Sequence, residues 1–302
     1  MARIAGVSPA KMSGLVGDYT YRQTKYGTIV SEKIQRTTNT KRTLRQMMTR
    51  IKLANLASFY KTFNGALSRG FENLPKGWNA MNAFISANSQ RSRVYLTKDM
   101  VQNNASVVDS YQITRGSLRT IEVEATGNSF RSSLSLGGLV ITAQTTVAEL
   151  ADALRNNNME VHYGDQISYF AIRQITDANG FLRAVVYRNE ITLDPFSTAR
   201  VWDLADSEGF QTNGGYLGQP STGTLHAGGF AWVLSREMNG NLQVSTQFIQ
   251  STNSEVVAEL STDIALERAI ASYGGLTDEV FLQPNMDEWG TNEGQHARQS
   301  QS

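Results

Sequence analysis

The sequence predicts an α+β protein: an N-terminal β-hairpin arm and small helical unit, followed by a β-rich body with one or two packed helices. Three observations carry this. Apolar residues recur at helical spacing between residues 40 and 90, and from Arg93 onward they alternate instead. Two Asn-Gly pairs, Asn179-Gly180 and Asn239-Gly240, each sit between alternating runs, a strong hairpin signal. The expected segments are 1–39 (extended arm and hairpin), 40–92 (helical unit), 93–253 (β-rich domain) and 254–302 (C-terminal helix with an extended acidic and polar tail).

Residues 1–14 are small and polar, with Gly6, Pro9 and Gly14, and read as an extended arm. Tyr19, Tyr21 and Ile29 around the Lys25-Tyr26-Gly27 break predict a hairpin pairing Val16–Gln23 with Thr28–Ile34. Two strands alone are marginal in water, so this hairpin is expected to lie on something else. A basic, aromatic hairpin near a chain end suits augmentation of a neighbour's sheet. Thr40 or Thr43 then caps a helix of about five turns, with an apolar stripe of Leu44, Met47, Met48, Ile51, Ala54, Phe59 and Phe63. That stripe reads as core rather than as a cofactor box. Helical pieces at Ala66–Asn73 and Asn79–Asn88, interrupted by Pro75 and Gly77, complete the unit.

In the body, Ser117–Ala125 and Leu139–Gln144 are expected strands by alternation and β-branching. Thr145 or Thr146, with Glu149 behind it, caps a helix of roughly two to three turns. Gln166–Gln174 and Phe181–Arg188 flank the first Asn-Gly turn; Gly229–Arg236 and Leu242–Gln250 flank the second. Residues 194–226, rich in Gly, Ser, Thr and Asp, read as a long surface loop and an interaction surface. A last helix is expected over 254–273, capped by Ser254 or Thr262 and stopped by Gly274-Gly275. The tail from Leu276 is expected to be extended.

Motifs for chemistry are missing. Cysteine is absent, which removes disulfides and thiolate catalysis. His162, His226 and His296 are scattered, with no second ligand at a metal-binding spacing, and read as surface or hydrogen-bonded histidines. Gly214–Gly223 lacks the G-x-x-x-x-G-K-[ST] form, and no Ser stands in G-x-S-x-G. The acid pairs Glu255/Glu259, Asp278/Glu279 and Asp287/Glu288 fit solvated faces. No catalytic residue, metal or cofactor is expected. Nor is a membrane span, because no run of ~18 apolar residues occurs. The opening MARIAGVSPAKM has no signal-like apolar stretch.

Charge is the informative feature. The net charge is +1, but residues 1–100 carry 17 Lys/Arg and 4 Asp/Glu, a balance of +13, and the remaining 202 residues balance to −12. Opposite charge in the two halves is a partner signal rather than a fold signal. Its candidate interaction face comprises Arg36, Lys41, Arg42, Arg45, Arg50 and Lys52, with Tyr21 and Tyr26 near enough to stack on bases. Without a base-reading motif and with a pI near 7.9, a protein neighbour is the preferred partner over nucleic acid.

The small-residue start GVSPAKMSGLVG, the hairpin, the helix start Arg42-Thr43-Leu44-Arg45-Gln46-Met47-Met48-Thr49-Arg50 and the late segment His226–Gln247 together resemble an uncharacterised domain family. That family is widespread in Bacteroidetes genomes and in the crAss-like phages that infect them. The resemblance covers about a third of the chain and supplies no catalytic residues. It implies a virion component assembled in the host cytoplasm: an auxiliary capsid, portal-vertex or head–tail neck protein. Its expected partners are capsid, portal or neck subunits and further copies of itself. Extended arms and opposite charge suit repeated subunit contacts. The alternatives are a nucleic-acid-associated packaged protein using the basic N-terminal third, and a host-surface-binding module using the 194–226 loop.

Overall fold

In this computed structural model the described residues are 2–4, 14–24, 27–33, 43–205, 208–220 and 226–274. They fall into two units, one of Met1–Arg42 with Thr277–Ser302 and one of Thr43–Leu276. The architecture is α+β, as expected.

The first unit holds β1 (Ala2–Ile4), β2 (Gly14–Val16), β3 (Tyr19–Thr24) and β4 (Gly27–Glu32), an antiparallel sheet in the order β1-β4-β3-β2. The expected hairpin is present as β3 and β4, with Tyr21 opposite Val30 and Arg22 opposite Ile29. Its first strand is shorter than expected. Gly17, at φ 58°, turns the chain so that Val16 pairs back with Tyr19. Lys25, Tyr26 and Ile34 lie outside the described residues.

The second unit opens with α1 (Leu44–Thr62), α2 (Ala80–Asn88), α3 (Lys98–Gln102), β5 (Gln112–Thr114), β6 (Val123–Thr126), β7 (Ser129–Ser135) and α4 (Val147–Asn157). It continues with β8 (Gln166–Thr176), β9 (Leu182–Thr192), α5 (Val201–Leu204), β10 (Gln211–Asn213), β11 (Tyr216–Gln219) and β12 (Gly228–Met238). Last come β13 (Asn241–Val244), β14 (Gln247–Phe248), β15 (Gln250–Ser251), α6 (Ser254–Leu260) and α7 (Asp263–Ser272).

Its organising layer is the antiparallel sheet β13-β12-β8-β9, with β15 also paired to β12. Side chains alternate across a strand, and here both sets are apolar. Ile167, Tyr169 and Ala171 of β8 and Phe230, Trp232 and Leu234 of β12 enter one core, with Phe130, Leu150, Leu154 and Phe210. Phe170 and Ile172 of β8 and Ala231 and Val233 of β12 enter the other, with Leu56, Phe59, Phe84 and Tyr111. Helices α1 and α2 therefore cover one face; α4 and the small sheet β10-β11-β7-β6 cover the other. A strand covered twice reads as a near-continuous apolar run, which is why Gly229–Ser235 is GFAWVLS. Gly228 admits this packing: at φ 140°, a Cβ there would sit 1.9 Å from the Ile172 carbonyl oxygen.

Because α1 and α2 share a core with the central sheet, the boundaries expected at 92/93 and 253/254 fall inside one unit. Helix α1 begins at Thr43, whose side chain accepts from Gln46 N while the Gln46 side chain accepts from Thr43 N, a reciprocal capping box. Thr146 and Glu149 cap α4 in the same way. Two buried asparagines lock the helices to the β-body. Asn55 donates to the Tyr111 hydroxyl (2.8 Å) and accepts from Val107 N (3.2 Å). Asn88 exchanges bonds of 2.9 and 2.8 Å with the Gln112 backbone.

Several expected elements differ. Ala66–Asn73 is a succession of turns, not a helix. Ser117–Ala125 narrows to β6, because Ser117 N donates to the Glu72 carboxylate (3.1 Å) and Leu118 N to Val244 O (3.1 Å) instead of to a ladder. Leu139–Gln144 is irregular, its Ile141 and Thr142 amides taken by the Thr212 and Thr145 hydroxyls (both 2.8 Å). The 194–226 segment is not a plain surface loop: it contains α5, β10 and β11 and buries Val201, Phe210 and Leu217. The 254–273 helix is two helices, because the Thr262 hydroxyl accepts from Ala265 N (3.1 Å) and starts α7 anew. The tail from residue 275 lies outside the described residues.

Candidate interaction surface

The capping box at Thr43 fixes where α1 begins and so where its cations point. Residues advance about 100° per position around an α-helix. The buried positions Met47, Ile51, Asn55 and Phe59 follow a four-residue step, which drifts about 40° per turn toward the side occupied by Lys52. Lys52 is accordingly half-buried, its ammonium 5.9 Å from the Tyr95 ring centroid. Arg50, about 200° away around the helix, is exposed and lies 5.2 Å over the Tyr273 ring. Burial holds both phenols above their ordinary range. Arg45 is exposed as well.

The eight predicted residues therefore do not form one described patch. Arg45, Arg50 and Lys52 share α1 but not one face. Tyr21 belongs to the other unit, and Arg36, Lys41, Arg42 and Tyr26 lie outside the described residues. The exposed side of α1 forms an open depression of about 590 Å3 beside Thr43, Arg45, Gln46, Thr49, Arg50 and Leu53. Its surface is shallow and mostly apolar, contributed by Leu53 and the aliphatic stems of the longer polar side chains.

A different surface emerges from the first unit. None of the described side chains of its sheet is buried, and Tyr19 is 53% exposed. Tyr21, Ile29 and Val30 are only half-covered. The strands are held by their ladders and by small polar bonds such as Gln23 Nε2 to Thr28 Oγ1 (2.9 Å).

Other groupings that carry chemistry are accounted for by structure. The buried Asp165 receives Arg236 Nε (2.6 Å) and Nη2 (2.7 Å) and the His162 amide (2.8 Å). Arg236 Nη2 also reaches the Glu160 carbonyl (2.7 Å) and His162 Nδ1. This bidentate pair pins the turn before β8 to the end of β12, and gives His162 the hydrogen-bonded role expected of it. It went unread in the sequence because its members are 71 residues apart. Arg173, Glu208 and His226 line a cavity of about 10 Å3, room for a single water and too small for an organic ligand. His226 is exposed, and His296 is outside the described residues. Among the described residues no three His, Asp or Glu side chains gather as a metal site, and no helix is long and apolar enough to cross a membrane.

No family model, no curated protein and no solved structure matches the chain.

Proposed function

We propose that the chain is a non-enzymatic structural subunit of a phage particle, acting through repeated protein–protein contacts as an auxiliary capsid, portal-vertex or head–tail neck component. One observation carries the reading. The first unit presents a four-stranded sheet on which no described side chain is buried, although Tyr19, Tyr21, Ile29 and Val30 lie on it. A sheet needs a covered hydrophobic face for independent stability. In this reading a neighbouring subunit supplies the cover. The excess of +13 in residues 1–100 against −12 in the rest of the chain supports head-to-tail contact with further copies or with acidic virion neighbours. The near-equal numbers of acidic and basic residues, 27 against 28, favour such a protein neighbour over packaged nucleic acid.

The test replaces Tyr19, Tyr21 and Val30 together by Ser in the full chain. The thermal transition of the body is expected to stay in place, while native mass spectrometry shows the assembled species lost and purified particles lack the variant. Wild-type association is also expected to weaken as salt rises from 0.1 to 1 M, because the Debye length shrinks from ~10 to ~3 Å. A wild-type chain that stays monomeric at both salts and is absent from particles overturns the proposal.

A further inference from the structure

Strand β9 is 11 residues long and forms the edge of the central sheet, paired along one side with β8. Proteins usually shorten, bulge or cover such an edge, since its free peptide groups invite another strand. Bonds at the two ends reveal which groups face outward. Ser106 N donates to Leu182 O (2.9 Å) and Ala184 N donates to Ser106 Oγ (2.9 Å), so the even-numbered residues turn their peptide groups away from β8. At the other end Thr192 O accepts from Asp194 N (2.9 Å). The chain thus closes both ends of the edge and leaves a central window. There the outward N–H and C=O groups of Val186, Arg188 and Glu190 have no partner among the described residues.

Charge at this window is arranged unusually for a guarded edge. Like charges would repel a second copy. Arg188 and Glu190 are opposite in sign, exposed, on the same face of the strand, and joined as an ion pair. We infer that β9 is a self-complementary docking edge that pairs antiparallel with β9 of a second copy about a two-fold axis. Arg188 then stands opposite Glu190 of the partner subunit, and Glu190 opposite Arg188 of the partner subunit. Parity selects this arrangement: both residues point their peptide groups outward, so each cross-pair closes two backbone bonds as well as one ion pair. Val186 falls opposite Thr192 of the partner subunit, and Asn189 meets Asn189 of the partner subunit at the axis. A two-fold interface needs a patch complementary to itself, and this register supplies one. The result is one continuous sheet through both bodies. The inference uses the second unit alone and is independent of the role proposed above.

The experiment is sedimentation velocity on the full chain over a range of concentrations. Wild type is expected to dimerise. Arg188→Glu and Glu190→Arg are each expected to weaken the dimer by about tenfold or more, since two attractive cross-strand pairs become repulsive. An equimolar mixture of the two single variants should recover wild-type association as a heterodimer, and so should the double variant R188E/E190R. Recovery by the mixture does not follow from the ion pair within one strand, which each single variant lacks. In wild type, the amides of Val186, Arg188 and Glu190 should exchange more slowly at high protein concentration than at low. This last measurement decides the matter if a single variant does not fold. The inference is overturned by a wild type that stays monomeric, by reversals that leave the dimer intact, by a mixture that fails to associate, or by exchange at those three amides that ignores concentration.

Discussion

Strands β8 and β3 are written in the same residue types, QISYFAIRQIT against YTYRQT, yet Tyr169 is 1% exposed and Tyr19 is 53% exposed. The ladders do not explain the difference, because both strands have partners on both sides. What separates them is the layers above and below. β8 has α1 and α2 over one face and α4 with the small sheet over the other; the described part of β3 has half-covered neighbours only. A strand preference is thus a statement about surfaces available to pack against, not about the backbone alone. Burial also changes the chemistry of the side chain: desolvation, with the Glu208 charge adding to it, holds the Tyr169 phenol well above its ordinary range.

The contrast is broken most directly at its buried end. Trp232 is fully buried in the aromatic cluster with Phe130, Tyr169 and Phe230, and its Nε1 donates to Gly209 O (3.2 Å). Trp232→Ala is expected to cost about 3–5 kcal/mol in urea unfolding of the body. A loss below about 1 kcal/mol would mean that the double covering of the sheet is not what holds it.

A smaller and local effect is expected where the β8–β9 hairpin turns. The Asp177 carboxylate is held below its ordinary value of 3.8 first by the Phe181 amide, then by Arg183 and the Asn179 amide. A depressed folded-state value means that this contribution is complete above pH 3.8. It disappears as pH falls below that value and through the folded one. Amide exchange at Asn179 and Phe181 should therefore accelerate in that acid window, and Asp177→Asn should remove the acceleration. Unchanged acid exchange in the variant would assign the turn's order to Gly180, at φ 82°, instead.

The smallest effect belongs to the exposed sheet. Tyr21→Ser in the isolated chain is expected to change the stability of the body by no more than about 0.5 kcal/mol. A loss of several kcal/mol in the same urea experiment would show that this sheet already shares the body's cooperative transition.

Local chemistry decided which parts of the fold were legible in the sequence. The caps at Thr43 with Gln46 and at Thr146 with Glu149 were readable, as were the turns at Asp177–Gly180 and Asn239-Gly240, since each device acts over four residues or fewer. β7 escaped because SFRSSLS looks like a loop; only the structure reveals that the buried Ser132 hydroxyl donates to Leu217 O (2.7 Å), so a serine alternates with Phe130 and Leu134 as an inward residue. Leu139–Gln144 misled in the opposite sense: Ile141 is buried as a strand residue would be, but Val140 and Thr142 are exposed, and the Thr212 and Thr145 hydroxyls take the amides of Ile141 and Thr142. For the interaction surface, the basic run pointed to α1, but the drift of the buried stripe that separates Arg50 from Lys52 depends on Asn55 being an inward residue. A polar residue gives no such notice.

One feature of the body bears on how it is made. β14 pairs with β5, Thr114 Oγ1 donates to Ser245 O across 131 residues, and Asn253 Nδ2 donates to Val108 O across 145. The core beneath α1 and α2 therefore stays open until the last strands have left the ribosome. At a synthesis rate of ~5–20 residues per second, the stretch from Val108 to Asn253 takes roughly 7–30 s. Until β8 and β9 emerge, Leu56, Phe59 and Phe84 have no sheet to cover them, and until β12 and Ile249 follow they have only part of one, which gives neighbouring nascent copies time to meet before any one of them has closed.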